Sequence, residues 1–181
     1  MPIRRRPERG RAQSLGPGQL PGLLLRGLLL LVFLSVPAYL VLLHFAVFEP
    51  YLYPLHRLQG GAVQATDGVL VGPYPDYVRL DELRRSGYRT VVSLLSPDIL
   101  YERSLIERER GYAKALGMGF RNFPMRSEEP VDSPRNAAAL RAIGTLLDGS
   151  PARPVYIHCY LGKHRSHMVA GWLARRRTAG T

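Results

Sequence analysis

The sequence predicts an α/β fold, a small mostly parallel sheet flanked by helices and preceded by one transmembrane helix. Three observations carry that expectation. From residue 69 onward, short apolar and β-branched runs alternate with segments of helical period, the pattern of a sheet layered with helices. The only cysteine, Cys159, stands between the apolar run Val155-Tyr156-Ile157 and a helix-like stretch. Upstream, Leu28 to Phe48 is 21 residues without Asp, Glu, Lys or Arg, and about 20 apolar residues suffice to cross a bilayer.

Residues 1–22 are rich in Arg, Pro and Gly and are expected to be a basic disordered N-terminus. Residues 23–48 follow as the transmembrane helix, where Pro37 would kink the span without preventing it. A secretory signal would have a shorter apolar core of roughly 7–15 residues and a small-residue cleavage site, and no clean one is present. Residues 49–66, with Pro50, Pro54, Gly60 and Gly61, read as a linker. The remaining 67–181 is long enough for one core and is expected to be a single catalytic domain.

Within that domain Val69-Leu70-Val71 opens the sheet. Between Asp76 and Ser86, Tyr77, Leu80 and Leu83 recur at helical spacing, with Gly87 where a C-terminal cap belongs. Tyr88 to Leu95 is an apolar run of buried-strand length. Residues 101–116 read as an amphipathic helix with Leu105, Tyr112 and Leu116 on its apolar side and Glu102, Glu107 and Glu109 elsewhere, closed by Gly117. Gly119 to Phe123 is a short strand. Ser133 followed by Pro134 starts a further helix, since serine caps free N–H groups and proline at the first helical position gives up nothing. That helix turns Leu140, Ile143 and Leu147 inward and stops near Gly149.

The loop His158-Cys159-Tyr160-Leu161-Gly162-Lys163-His164-Arg165-Ser166 carries the chemistry. A helix start and a nest of amides favour a tetrahedral, phosphate-like anion. A thiol facing such a positive end and a cation ionises readily, which makes Cys159 a nucleophile. Arg165 offers a planar fork to two phosphate oxygens. Gly162 lets the loop adopt a backbone angle that a side chain opposes. Ser166 is expected to donate to the sulfur and His158 to shape the loop from behind, while Tyr160, Leu161, Gly162, Lys163 and His164 are expected to bind substrate.

These residues resemble the H-C-x5-R-S/T signature of the cysteine-based protein tyrosine and dual-specificity phosphatases, matched at His158, Cys159, Arg165 and Ser166. The segments Val69 to Pro75 and Gly87 to Leu95 are similar to the opening of its compact bacterial-type members. The resemblance implies a dual-specificity phosphatase-like fold and hydrolysis of phosphomonoesters through a phospho-cysteine intermediate, with no cofactor and no metal. A zinc site from His158, Cys159, His164 and His167 lacks a second cysteine or a spaced pair of ligands. The family's general acid is an aspartate about thirty residues before the cysteine, a position that aligns with Ser127. In its absence Asp132 is the first candidate for the acid, then Glu128, then Glu129, since any carboxyl within hydrogen-bond reach can serve. Family domains also continue with one or two further helices, so a C-terminally short domain is expected.

Lys163 and His164 add positive charge to the loop and suit polyanionic substrates such as phosphoinositides or lipid headgroups as well as phosphorylated proteins. A catalytically inactive phosphate-binding membrane module is the reading from another class. Of the formal charge of +11, six arginines and Glu8 place +5 in the first 26 residues. The excess suits anionic lipid or substrate, and the absence of an aromatic-interleaved basic stripe argues against nucleic acid. With Arg4, Arg5, Arg6, Arg9, Arg11 and Arg26 before the span, the positive-inside rule places the N-terminus in the cytoplasm and the catalytic domain on the opposite, periplasmic side.

Overall fold

The computed structural model describes residues 20–45, 47–48, 63–66, 68–149 and 154–179. Residues 1–19 of the expected disordered N-terminus and 49–62 of the expected linker lie outside them. The chain divides into two compact units, 1–40 and 41–181. The first consists, among the described residues, of most of helix α1, Leu20–Leu43. Gly22–Leu43 is long and apolar enough to cross a membrane, and Pro37 lies inside the helix.

The second unit holds β1 (Val63–Thr66), β2 (Val69–Gly72), α2 (Tyr77–Arg85), β3 (Thr90–Ser93), α3 (Leu100–Ala115), β4 (Gly119–Asn122), α4 (Pro134–Asp148), β5 (Val155–His158) and α5 (His164–Ala179). The five strands lie in the order β1-β2-β5-β3-β4. Strands β2, β5, β3 and β4 are parallel, and β1 pairs antiparallel at the edge. The mostly parallel sheet is the one the sequence predicts. The last stretch of the expected linker is instead strand β1. Thr66 pairs with Val69, Gly68 has φ of 72°, and in the sequence Asp67-Gly68 is a hairpin signal of the type that requires positive φ.

Every residue of β3 and β5 is buried, as strands covered on both faces must be. On one face Val69, Val71, Val92, Val155 and Ile157 pack against Leu140, Ile143 and Leu147 of α4 and Val169 and Leu173 of α5. On the other, Val91 and Tyr156 pack against Leu80 and Leu83 of α2 and Ala113 of α3. Tyr77, expected to share that face, is 45% exposed; it lies in the first turn of α2 and meets the ring of Tyr112 edge-on.

Helix α3 departs further from expectation. Its buried stripe is Glu102, Leu105, Ile106, Glu109 and Ala113, so two of the three glutamates assigned to other faces are inside. Only Glu107 is outside, paired with Arg110. The reason is that the folded molecule supplies a buried cation or imidazole for each of the two, described below. Helix α4 begins as predicted, with Pro134 in the first turn and the Ser133 hydroxyl accepting from the Asn136 N–H at 3.2 Å. Ser133→Ala should lower stability by about 1 kcal/mol, read as a lower Tm and urea midpoint with an unchanged m-value.

Candidate active site

Strand β5 lies between β2 and β3 with His158 level with Gly72 and Ser93. The loop that leaves it therefore emerges at the carboxyl edge of the parallel strands, where such sheets bind ligands. Its anchors come from both neighbours. The Leu94 N–H donates to the His158 carbonyl at 2.9 Å, and the Tyr74 N–H to the Tyr160 carbonyl at 3.0 Å. Gly162 has φ of 70°, and a Cβ there would stand 2.5 Å from Pro73 N and 2.7 Å from Gly72 C. Only glycine fits both the angle and the approach.

The loop and its surroundings enclose a cavity of about 120 Å³ lined by Tyr101, Ser127, Cys159, Tyr160, Leu161, His164 and Arg165. Cys159 is 3% exposed, so its thiol forms part of the floor. The first N–H groups of α5, which begins at His164, have no carbonyls within the helix and are available to an anion.

Arg165 is held by a partner from α3. Its Nη2 donates to Glu102 Oε1 at 2.5 Å, and its Nη1 to Glu102 Oε2 at 2.9 Å and to the Leu94 carbonyl at 3.0 Å. Glu102 Oε2 also accepts the Ser96 N–H at 2.6 Å. Burial works against the charge on Arg165, but the hydrogen bonds and charge of Glu102, with Cys159 beside them, outweigh it and raise the pKa above the usual arginine value. A guanidinium has five N–H donors. Among the described residues, Nε and the second Nη2 hydrogen have no protein partner, and these two lie side by side on one edge. That edge can grip two phosphoryl oxygens while the other holds Glu102.

Behind the loop, His158 Nε2 lies 2.6 Å from Glu109 Oε1, and both side chains are fully buried. Its Nδ1 faces the Cys159 carbonyl at 3.3 Å, and the ring stacks on Tyr156 with centroids 5.8 Å apart. Both ring nitrogens thus face oxygen atoms. Ser166 sits under the loop: its oxygen accepts the Cys159 N–H at 3.0 Å, and its hydroxyl donates to the Gly72 carbonyl at 3.1 Å. The hydroxyl proton is thus committed to β2, not to the sulfur as the sequence suggests.

Of the residues expected to bind substrate, Tyr160, Leu161 and His164 line the cavity. Gly162 shapes the backbone, and Lys163 is exposed outside the lining. None of the three candidate acids lines this cavity. Asp132 lines a different cavity, between α4 and α5, with Arg141, Trp172 and Arg175. Glu129 accepts from the Ser133 hydroxyl at 2.8 Å. Glu128 pairs with Arg126 at 3.2 Å; a hydrogen bond from its own backbone, then Arg126 and Ser127, hold its carboxyl below the usual range. The fully buried Asn136 pins this segment: its Oδ1 accepts the Arg126 N–H at 2.9 Å, and its Nδ2 donates to the carbonyls of Arg126, Glu129 and Pro130 at 3.0–3.2 Å. Glu102, Glu109 and Asn136 carry no motif signature. The signal for the two glutamates is their spacing, three before and four after Leu105, which puts both in its stripe.

Tyr101 and Tyr160 form an aromatic wall with Phe45. Ring centroids are 5.2 Å apart for Phe45 and Tyr101, and 5.9 Å for Phe45 and Tyr160 and for Tyr101 and Tyr160.

No protein-family profile and no curated protein sequence matches the chain. Among solved structures, it is similar to a candidate phosphatase (DUF442) from Shewanella putrefaciens CN-32, with a TM-score of 0.54 and 17% identity over 68% of this chain and 78% of that one. It is also similar to the core catalytic domain of the PP-IP phosphatase Siw14 from S. cerevisiae, with a TM-score of 0.52 and 14% identity over 65% of this chain and 66% of that one. At these identities the likeness establishes a shared fold. Glu102→Gln should lower stability by roughly 3 kcal/mol, because it leaves a guanidinium buried against a neutral amide; urea unfolding measures it. Gly162→Ala should cost about 1–3 kcal/mol from its positive φ and the clash with Pro73, measured as a Tm shift.

Proposed function

We propose that the chain is a membrane-anchored, cysteine-dependent phosphomonoesterase of the dual-specificity type, acting through a phospho-cysteine intermediate. The observation that carries this reading is Cys159 on the floor of a small cavity beside Arg165, one edge of which is held by Glu102 while the other is left for a phosphate. The shared fold with the Shewanella protein and Siw14 supports it.

In the first step the Cys159 thiolate attacks phosphorus. The S–P bond forms as the bond to the leaving oxygen breaks, and that oxygen takes up a proton. Charge on the three equatorial oxygens is met by Arg165 and by the amides at the start of α5, groups fixed before the reaction begins. Water then attacks phosphorus, the S–P bond breaks, and phosphate leaves with the thiolate restored. Ser166 and His158 act by holding the loop backbone, since their hydrogen bonds go to Gly72 and Glu109. Nothing in this sequence of steps calls on a metal or cofactor.

The apolar helix Gly22–Leu43 supports the anchor, and the arginines before it support a cytoplasmic N-terminus with residues 67–181 as the catalytic domain on the periplasmic side. Phosphorylated proteins are the first substrate class. A second reading, a phospholipid headgroup or inositol phosphate, is favoured by Phe45. It lies two residues beyond the last residue of α1 and packs on Tyr101 and Tyr160 of the cavity wall. Siw14, named a PP-IP phosphatase, is in line with that class.

The full chain in detergent should hydrolyse p-nitrophenyl phosphate, and Cys159→Ser should reduce kcat by more than about 10³-fold, with EDTA leaving turnover unchanged. Retained binding of phosphate analogues without turnover by the wild type would instead identify an inactive phosphate-binding module. Comparing phosphotyrosine peptides with phosphatidylglycerophosphate and phosphoinositides in vesicles separates the substrate classes.

A further inference from the structure

A thiolate at the floor of the cavity fixes where the leaving group must point. In-line displacement puts the leaving oxygen opposite the attacking sulfur, so with Cys159 at 3% exposure that oxygen faces the mouth. Whatever gives it a proton must stand there. No carboxylate lines the cavity: Asp132 lines another, Glu129 accepts from Ser133, and Glu128, which accepts from the lining residue Ser127 at 3.3 Å, is paired with Arg126.

The lining offers four other proton-bearing groups besides the thiol and Arg165. Ser127 is an aliphatic alcohol, too weakly acidic to serve. Burial, then the charge of Glu102, pushes the Tyr101 phenol up, away from easy proton release. Tyr160 is also a phenol, with its ring set in the aromatic wall. His164 remains. It is the first residue of α5, it is exposed at the mouth while its neighbour Arg165 is buried, and its ring has no hydrogen-bond partner among the described residues. Imidazole is also the side chain that both holds and releases a proton near neutrality.

We propose that His164 is a catalytic residue, the general acid that protonates the leaving oxygen, at a cavity whose lining holds no carboxylate. The proposal rests on the phospho-cysteine reading. In the first step the imidazolium gives its proton to the leaving oxygen as the S–P bond forms, which leaves neutral imidazole, alcohol and phospho-cysteine. In the second step the imidazole takes a proton from the attacking water as the S–P bond breaks, which restores imidazolium and thiolate and releases phosphate. One group thus serves both steps with protons and charge balanced.

A general acid matters only when the leaving group is poor, and this gives a readout that a binding or structural role does not move. The full chain in detergent and its His164→Asn variant are compared on phenyl phosphate and on 2,4-dinitrophenyl phosphate, with His164→Gln as a second variant should the first fold poorly by circular dichroism. The expected result is a loss in kcat of about 10²-fold on phenyl phosphate and of less than about 3-fold on the dinitrophenyl ester, whose leaving group needs no proton. Equal losses on both esters, no loss on either, or a selective loss in Tyr101→Phe with His164→Asn unaffected overturns the proposal and leaves the phosphatase reading standing. Failure of the wild type on both esters, or undiminished turnover by Cys159→Ser, overturns the phosphatase reading and the proposal with it.

Discussion

The charge of Arg165 can be buried in this molecule because Glu102 is buried beside it. Removing an ion from water costs several kcal/mol even after the protein relaxes, and a buried pair recovers that only when its hydrogen bonds are well made. Here they are: two parallel bonds join guanidinium and carboxylate, and the remaining capacity on that side goes to the Leu94 carbonyl and the Ser96 N–H. Such a pair adds little net stability over apolar residues of similar volume. Its effect is on orientation. The arginine is locked along one edge, which leaves the other free beside Cys159, and donors set in place beforehand suit the phosphoryl transfer proposed above.

The pair also explains why the surrounding loops hold their places. Leu94 and Ser96 follow β3 and Glu102 belongs to α3, so one cluster of hydrogen bonds fastens the exit of β3 to the helix after it and to the start of α5. The other side of the loop is fastened to β2, through Ser166 to Gly72 and Tyr156 to the Pro73 carbonyl at 2.6 Å. Because β5 is inserted between β2 and β3, the cysteine loop is braced from both directions. A loop on an edge strand would have one such brace and would lose more conformational freedom on binding an anion.

What could be read in the sequence follows from whether the cause was local. The cap at Ser133, the inward leucines of α4 and the cysteine loop all act within a few residues, and each is legible as a pattern. Strand β1 has a local signal in Asp67-Gly68, but a four-residue strand beside a proline-rich stretch is short for recognition by alternation. The orientation of residues 126–130 is set by Asn136, a residue whose type and position mark nothing until the chain folds over it. Glu128 and Glu129 lie in that segment, and neither they nor Asp132 line the cavity around Cys159.

Helix α3 shows the same limit in energetic form. Charged residues are almost never fully buried unless paired, so an assignment from composition turns Glu102 and Glu109 outward. Their separation of seven residues is two helical turns, about 10 Å along the axis, and the cysteine loop presents two nitrogen-bearing groups to match, Arg165 at its end and His158 at its start. Each glutamate is buried because the loop carries its partner, and each partner is buried because α3 carries the glutamate. Neither half of that arrangement is stable alone, so helix and loop must form together. The pattern that specifies the site is therefore a pairing between two distant segments, with Cys159 held between its two contacts.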